Sequence, residues 1–151
     1  MTVSILPGAI EAIIAIGTAA GVTMVDGPGA TDEQLQSAIL VGASDIDQTG
    51  FIPAATTDQT WAFLGSYQRD ETASVHCLSA AWNGDGDVAA ARTIVFANLE
   101  TLAAAFQSDP TISGTVLSFV GFKGGVLDQI TDKNGATVLL TFDIEMRGRV
   151  S

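Results

Sequence analysis

The stretch whose reading decides the fold is Asn83–Gly114, NGDGDVAAARTIVFANLETLAAAFQSDPTISG. It begins with turn residues and acids, and then Val88, Val95, Leu99, Leu102 and Phe106 recur at helical spacing before Asp109-Pro110. Apolar residues at those intervals form one stripe on a helix. Asp85 or Asp87 suits the start, because a carboxylate there accepts from free N–H groups and meets the positive end of the helix dipole. Proline disfavours helix in the residue before it, which makes Asp109 the natural stop. About 21 residues at ~1.5 Å each give a rod of roughly 30 Å. A stripe that long needs a sheet to lie on, and the flanking segments read as strands.

Upstream, Pro7 fits the first helical position, where its missing N–H has no partner to lose. Ile10, Ile13, Ile14 and Ala20 continue a helix that ends near Gly21. Val22–Val25 is a short strand closed by Gly27-Pro28-Gly29, and Thr31 with Gln34 has the spacing of a reciprocal cap on a brief helical turn. Ala38–Ala43 is continuous and apolar, as expected of a central strand. Ser44–Gly50 reads as loop, Thr57–Leu64 as a strand, Gly65–Glu71 as a polar joint and Thr72–Trp82 as a strand feeding the long helix. After it, Val116–Phe122 is expected to turn back at Lys123-Gly124-Gly125 into Val126–Thr131, with a hairpin at Asn134-Gly135, both tolerant of positive φ.

The last strand is the clearest. Val138, Leu140, Phe142, Ile144 and Met146 alternate with Thr137, Leu139, Thr141, Asp143, Glu145 and Arg147. Period two places one face in a core and the other in water or against a partner. No repeat or linker divides the chain. The expectation is a single α+β domain over residues 1–151, with two main helices packed on a mixed or mostly antiparallel sheet.

Composition narrows the function. The 151 residues are 47% hydrophobic, enough for a folded core. Seventeen acids oppose six bases for a net charge of −11, and residues 1–68 contain no base at all. Such a surface repels phosphate, which argues against ordinary DNA or RNA binding. The single cysteine, Cys77, allows no internal disulfide. The apolar run Ala9–Val25 lacks the basic flank of a signal peptide, is interrupted by Glu11, and is short for a membrane span.

Three chemical readings fail on their own residues. Gly84–Ala89 matches the G-x-G-x-x-A pattern of a dinucleotide loop, yet it sets Asp85 and Asp87 where a pyrophosphate would sit. Asn83, Asp85 and Asp87 imitate the opening of a calcium loop, but Val88 stands at its glycine and Ile94 at its glutamate. His76 and Cys77 are adjacent, and neighbours on a strand point to opposite faces, so they form no dyad. No catalytic residue, metal site or cofactor is expected, and hence no enzyme.

Taken together, several segments resemble the tail terminator, or tail completion, proteins of long-tailed bacteriophages, especially those of actinobacterial hosts. They are the apolar first helix, AILVGASD, WAFLG followed by Arg69-Asp70-Glu71, VHCLSAAW running into NGDGD, Ala90–Arg92, SDPTISGTV and the closing NGATVLLTFDIEMRGRV. The likeness spans nearly the whole chain. Its most telling part is the DPTLGG-like turn after the helix, where this chain has Ile112 for leucine and Ser113 for glycine. The resemblance implies a non-enzymatic virion protein of the tail or neck, assembled in the host cytoplasm. Such a protein forms a ring, typically a hexamer, on the finished tail tube, stops tube growth, and meets the head connector or head-closure protein. DNA passes through its hole without specific binding, and no membrane is involved. Asp143, Glu145 and Arg147 are then candidates for pairing between subunits, and the net acidity suits a lumen that does not grip DNA. The alternatives are another neck component, such as a head-closure or adaptor protein, or a small-molecule-binding α+β domain built on the Gly84–Ala89 turn.

Overall fold

The computed structural model describes residues 3–31, 33–45, 51–61 and 67–150. Helix α1 (Leu6–Ala19) is followed by β1 (Met24–Asp26), a 3-10 turn (Gln34–Gln36), β2 (Ser37–Val41), β3 (Ala55–Trp61) and β4 (Arg69–Asn83). Helix α2 (Val88–Ser108), β5 (Ser118–Asp132) and β6 (Gly135–Val150) complete the chain. The sheet has six strands in the order β1-β2-β4-β6-β5, with β3 also on β4, and every pairing is antiparallel except β1 with β2. The α+β class expected from the sequence is what the chain adopts.

The long helix forms where its pattern places it. Asp87 is its N-cap, with Oδ1 accepting from the Ala90 N–H at 3.1 Å, and the last turn closes with the Asp109 N–H donating to the Ala105 carbonyl. Ala91, Val95, Leu102 and Phe106 are buried, while Val88 and Leu99 at the stripe's margins are half-buried. By length and composition alone α2 could cross a membrane, but polar side chains stitch it to the sheet. Ser79 Oγ donates to the Val95 carbonyl, Asn98 Nδ2 to Ser37 Oγ and Arg92 Nε to Gln129 Oε1. Helix α1 ends in a Schellman arrangement: the Gly21 and Val22 N–H groups donate to the Thr18 and Gly17 carbonyls, and Gly21 takes φ +94°.

The helices cover one face of the sheet, the inner face. Ile13, Leu102, Phe106, Ile112, Val75, Cys77, Ile144 and Met146 form its main core, extended along α2 by Ala81, Ala91, Val95 and Val138. Phe106, Phe119, Phe122 and Phe142 pack there with tilted rings, centroids 4.9–6.2 Å apart. Cys77 faces this core and burial pushes its thiol far up, so it stays protonated.

Several boundaries differ from the sequence reading. The segment Arg69–Glu71, expected as a polar joint, already belongs to β4, because it pairs with both β3 and β6. Glu71 is buried at 1% exposure on the inner face. Its Oε2 accepts from Ser4 Oγ and Thr57 Oγ1, both at 2.6 Å, and its Oε1 from the Ile5 N–H and Gln59 Nε2. Burial pushes this carboxyl up, but the four donors together outweigh it and hold it below its ordinary value. One carboxylate thus ties the start of α1 to β3 and β4.

Lys123-Gly124-Gly125 is not a turn. It is a bulge inside the single strand β5, whose pairing with β6 jumps between Lys123 and Val126. The positive φ values of Gly124 and Gly125 supply the kink without breaking the strand. The hairpin at Asn134-Gly135 is present, but its turn residues are Lys133 and Asn134, between paired Asp132 and Gly135. Only Gly135 has positive φ there. A Cβ at Gly135 would run into the Asn83 carbonyl, so the hairpin end seats directly on the loop that starts α2. The first strand starts at Met24 rather than Val22, β2 covers Ser37–Val41, and the Thr57–Leu64 expectation is met over Ala55–Trp61 with residues 62–64 outside the described residues. Of the expected loop Ser44–Gly50, residues 46–50 also lie outside them.

The candidate interface face and edges

Alternation along β4 and β6 sends a second set of side chains to the outer face, away from the helices. Paired across the two strands there are Trp82 with Thr137, Ala80 with Leu139, Leu78 with Thr141, His76 with Asp143, Ser74 with Glu145, Thr72 with Arg147 and Asp70 with Arg149. Part of this face is roofed. Thr31 and Gln34 make the reciprocal cap expected of them, and the turn they hold lays Leu35 and Ala30 against Leu78, Leu40, Ala38 and Val25. Between that turn and the hairpin lies a groove of about 540 Å³, lined by Leu35, Ala80, Trp82, Thr137 and Leu139 with Glu33, Gln36 and Asn134.

The remaining outer face divides in two. Toward the hairpin it is mixed: Trp82, Val126 and Ile130 are 39%, 57% and 59% exposed, and the exposed Asp128 lies between the last two. Toward the other end it is charged, and the three residues singled out from sequence lie there on β6. Asp143 meets His76 Nδ1 at 2.7 Å and Glu145 meets Lys123 Nζ at 3.2 Å, both within the chain. Arg147 is exposed and makes no ion pair among the described residues. Next to it Asp70 Oδ1 accepts from Arg149 Nε at 2.7 Å, and this bond raises the guanidinium's already high pKa. Asp143, Glu145 and Arg147 therefore share one face, with the first two already partnered inside their own subunit.

The edges of the sheet are equally informative. Among the described residues the strand paired with β5 is β6 alone, and near the start of β5 the Phe119 N–H donates to the Pro110 carbonyl at 2.7 Å. Beyond the bulge, Val126, Leu127 and Ile130 are all more than a third exposed. On the opposite side β3 pairs only with β4 among the described residues, and it ends on Trp61, 65% exposed. An unpaired strand edge presents a row of N–H and C=O groups that another strand can complete. Sequence reasoning missed this edge; the weak alternation of Val126–Thr131 beside the clean alternation of β6 was the available signal.

The other sequence motifs resolve locally. Asn83 Oδ1 accepts from the Asp85 and Asp87 N–H groups at 2.9 and 3.3 Å, and Asp87 caps α2, so the Gly84–Ala89 turn spends its amides on its own side chains. His76 lies on the outer face and Cys77 on the inner one. Among the described residues no three His, Cys, Asp or Glu side chains gather as a metal site. In the DPTISG turn, Asp109 accepts from the Ser113 N–H at 2.7 Å and from Thr111 Oγ1 at 2.8 Å, bonds that hold its carboxyl below the ordinary value. Ile112 and Ser113, the two departures from the resembled pattern, are the non-glycine residues with positive φ among the described residues, at 48° and 57°. Neither a comparison with protein-family models nor one with curated proteins finds a match to this chain.

Proposed function

We propose that this chain is a structural subunit of a phage tail, a terminator that closes into a ring, typically a hexamer, on the finished end of the tail tube. In that place it stops tube growth and offers a surface to the head connector while DNA passes through the hole. The observation that carries the reading is β5, an edge strand whose part beyond the bulge, Val126–Asp132, has no second strand beside it among the described residues and exposes apolar side chains. A monomer gains nothing from such an edge, and natural sheets usually blunt or cover theirs. Contacts between unlike edges of identical subunits close into rings when the rotation allows. The resemblance across nearly the whole sequence supplies the place in the virion.

A lumen richer in carboxylates than in bases would let a phosphate backbone slide, in keeping with the net charge of −11. The deciding experiment is removal of the gene followed by electron microscopy of the lysate. Overlong or headless tails support a terminator. Normal-length tails beside heads that leak DNA would transfer the chain to head closure, and normal virions would end the proposal.

A further inference from the structure

We propose that the groove on the outer face of the sheet is a docking site for a basic segment of a different protein, one that presents lysine or arginine on either side of an apolar side chain. The floor follows from strand register. Trp82, Thr137 and Ile130 stand in one row across β4, β6 and β5, and Ala80, Leu139 and Asp128 stand in the next. The 3-10 turn walls one side with Glu33, Leu35 and Gln36, and Asn134 of the hairpin borders the groove as well. The space of about 540 Å³ lies within the range of ligand sites and takes a few side chains of a partner. Trp82 lines it while 39% exposed, a large apolar surface left in water.

Charge selects the occupant. Glu33 on the turn wall and Asp128 on the β5 side are exposed, and neither carboxylate is in an ion pair among the described residues. Asp132 and Lys133 at the hairpin are of opposite sign, and the next charged groups along the face, His76 with Asp143 and Lys123 with Glu145, are paired among themselves. The groove therefore presents unmatched carboxylates on both sides of an apolar floor. A cationic side chain suits it twice over. Its stem lies on apolar surface while its head reaches a carboxylate, and the indole face of Trp82 attracts a cation as well.

A second copy of this chain does not supply that chemistry. Of its bases, Lys123 and Arg149 are ion-paired, Arg92 bonds Gln129, Arg69 is half-buried and Lys133 sits on the hairpin beside the groove itself. Arg147 is exposed and in no ion pair among the described residues, but Asp70, Asp143 and Glu145 share its face and would meet the acids of the groove. Neither helix offers an apolar stripe flanked by bases, since α1 has no base and α2 has Arg92 alone. The occupant is therefore a foreign chain, chosen by complementary potential. A terminator has such chains as neighbours in the tail and neck, and the groove asks for the same chemistry whether or not the chain closes into a ring.

The test uses the full chain carrying Trp61→Phe, which leaves Trp82 as its tryptophan. The probes are two short synthetic amphipathic peptides, one of leucine and lysine and one of leucine and glutamate. Trp82 emission and peptide anisotropy are followed at low ionic strength, with a melting curve for each variant as a check of folding. The expected result is that the lysine peptide binds and blue-shifts the emission, while the glutamate peptide does neither. Glu33→Gln together with Asp128→Asn weakens that binding by roughly threefold to tenfold, whereas Glu11→Gln together with Asp85→Asn, which removes the same charge elsewhere, changes it by less than about twofold. Equal losses from the two pairs, or binding with no change in Trp82 emission, mean diffuse attraction to an acidic surface and overturn the docking site. Failure of the lysine peptide to bind, or equal binding of the glutamate peptide, overturns it too. An emission shift on concentrating the chain without peptide assigns the groove to a second copy and removes the foreign partner. Normal virions after gene removal would end the terminator reading and leave these outcomes as they are.

Discussion

Replacing Glu71 tests the most heavily bonded carboxylate in the fold. It is 1% exposed and receives four hydrogen bonds, from Ser4, Ile5, Thr57 and Gln59, at 2.6–3.1 Å. In Glu71→Ala the two hydroxyls can turn elsewhere, and Gln59 Nε2 keeps its bond to the Val3 carbonyl. The Ile5 amide has no such freedom. An orphaned buried amide costs about 1–3 kcal/mol and the lost charge-assisted bonds add to it, for about 3–5 kcal/mol in all. In Glu71→Gln the side-chain oxygen can still serve Ile5 and Gln59, while its NH₂ faces two hydroxyls able to reverse and accept, so the loss is about 1–2 kcal/mol. At roughly 2–4 °C per kcal/mol for a chain of this size, Glu71→Ala melts about 6–20 °C lower and Glu71→Gln about 2–8 °C lower. Acid adds an independent reading. Because the folded carboxyl lies below its ordinary value of 4.5, its stabilising contribution is complete above that pH and fades as pH falls through the folded value. The stability gap between the native chain and Glu71→Gln should therefore narrow below pH 4.5. Urea unfolding of the three proteins at neutral and acidic pH measures both effects. If both variants fall within about 0.5 kcal/mol of the native chain, the range of ordinary surface changes, the assigned network is wrong.

Five further substitutions probe the turns. Ser113→Gly removes a side chain from a backbone at φ 57° and should raise stability by about 1 kcal/mol, seen as a higher melting temperature. Gly135→Ala should lower it by well over 1 kcal/mol, since the added Cβ meets the Asn83 carbonyl at a φ of 126°; Gly21→Ala, also at positive φ but with open space around it, should cost less in the same assay. Asp87→Ala should cost about 1 kcal/mol through loss of the α2 cap, whereas Asp85→Ala, whose carboxylate makes no cap bond, should cost a few tenths, both by urea titration.

What could be read from the sequence was whatever depended on local pattern. The α2 stripe, its Asp87 cap and its stop at Asp109 follow from residues within one turn of each other, and the alternation of β6 survives because its inner face meets both helices. What could not be read depended on distant residues. Glu71 looks like part of a polar joint until Ser4, 67 positions away, is brought to it by the packing of α1. Lys123-Gly124-Gly125 has the composition of a turn, and only the continuous β6 partner converts it to a bulge. Of the candidate residues, Asp143, Glu145 and Arg147 were legible as sharing a strand face, but the claims of His76 and Lys123 on the first two arise from cross-strand register. The edge status of β5 is likewise a property of the assembled sheet.

The solitary, core-facing thiol of Cys77 gives the molecule its own opening clock. A neutral alkylating or disulfide reagent reaches this sulfur only when β4 separates from the helices above it, so modification rate reports how often that separation occurs. The same measurement on assembled particles would reveal how far neighbours slow the breathing of each subunit, without adding any label site to the sequence.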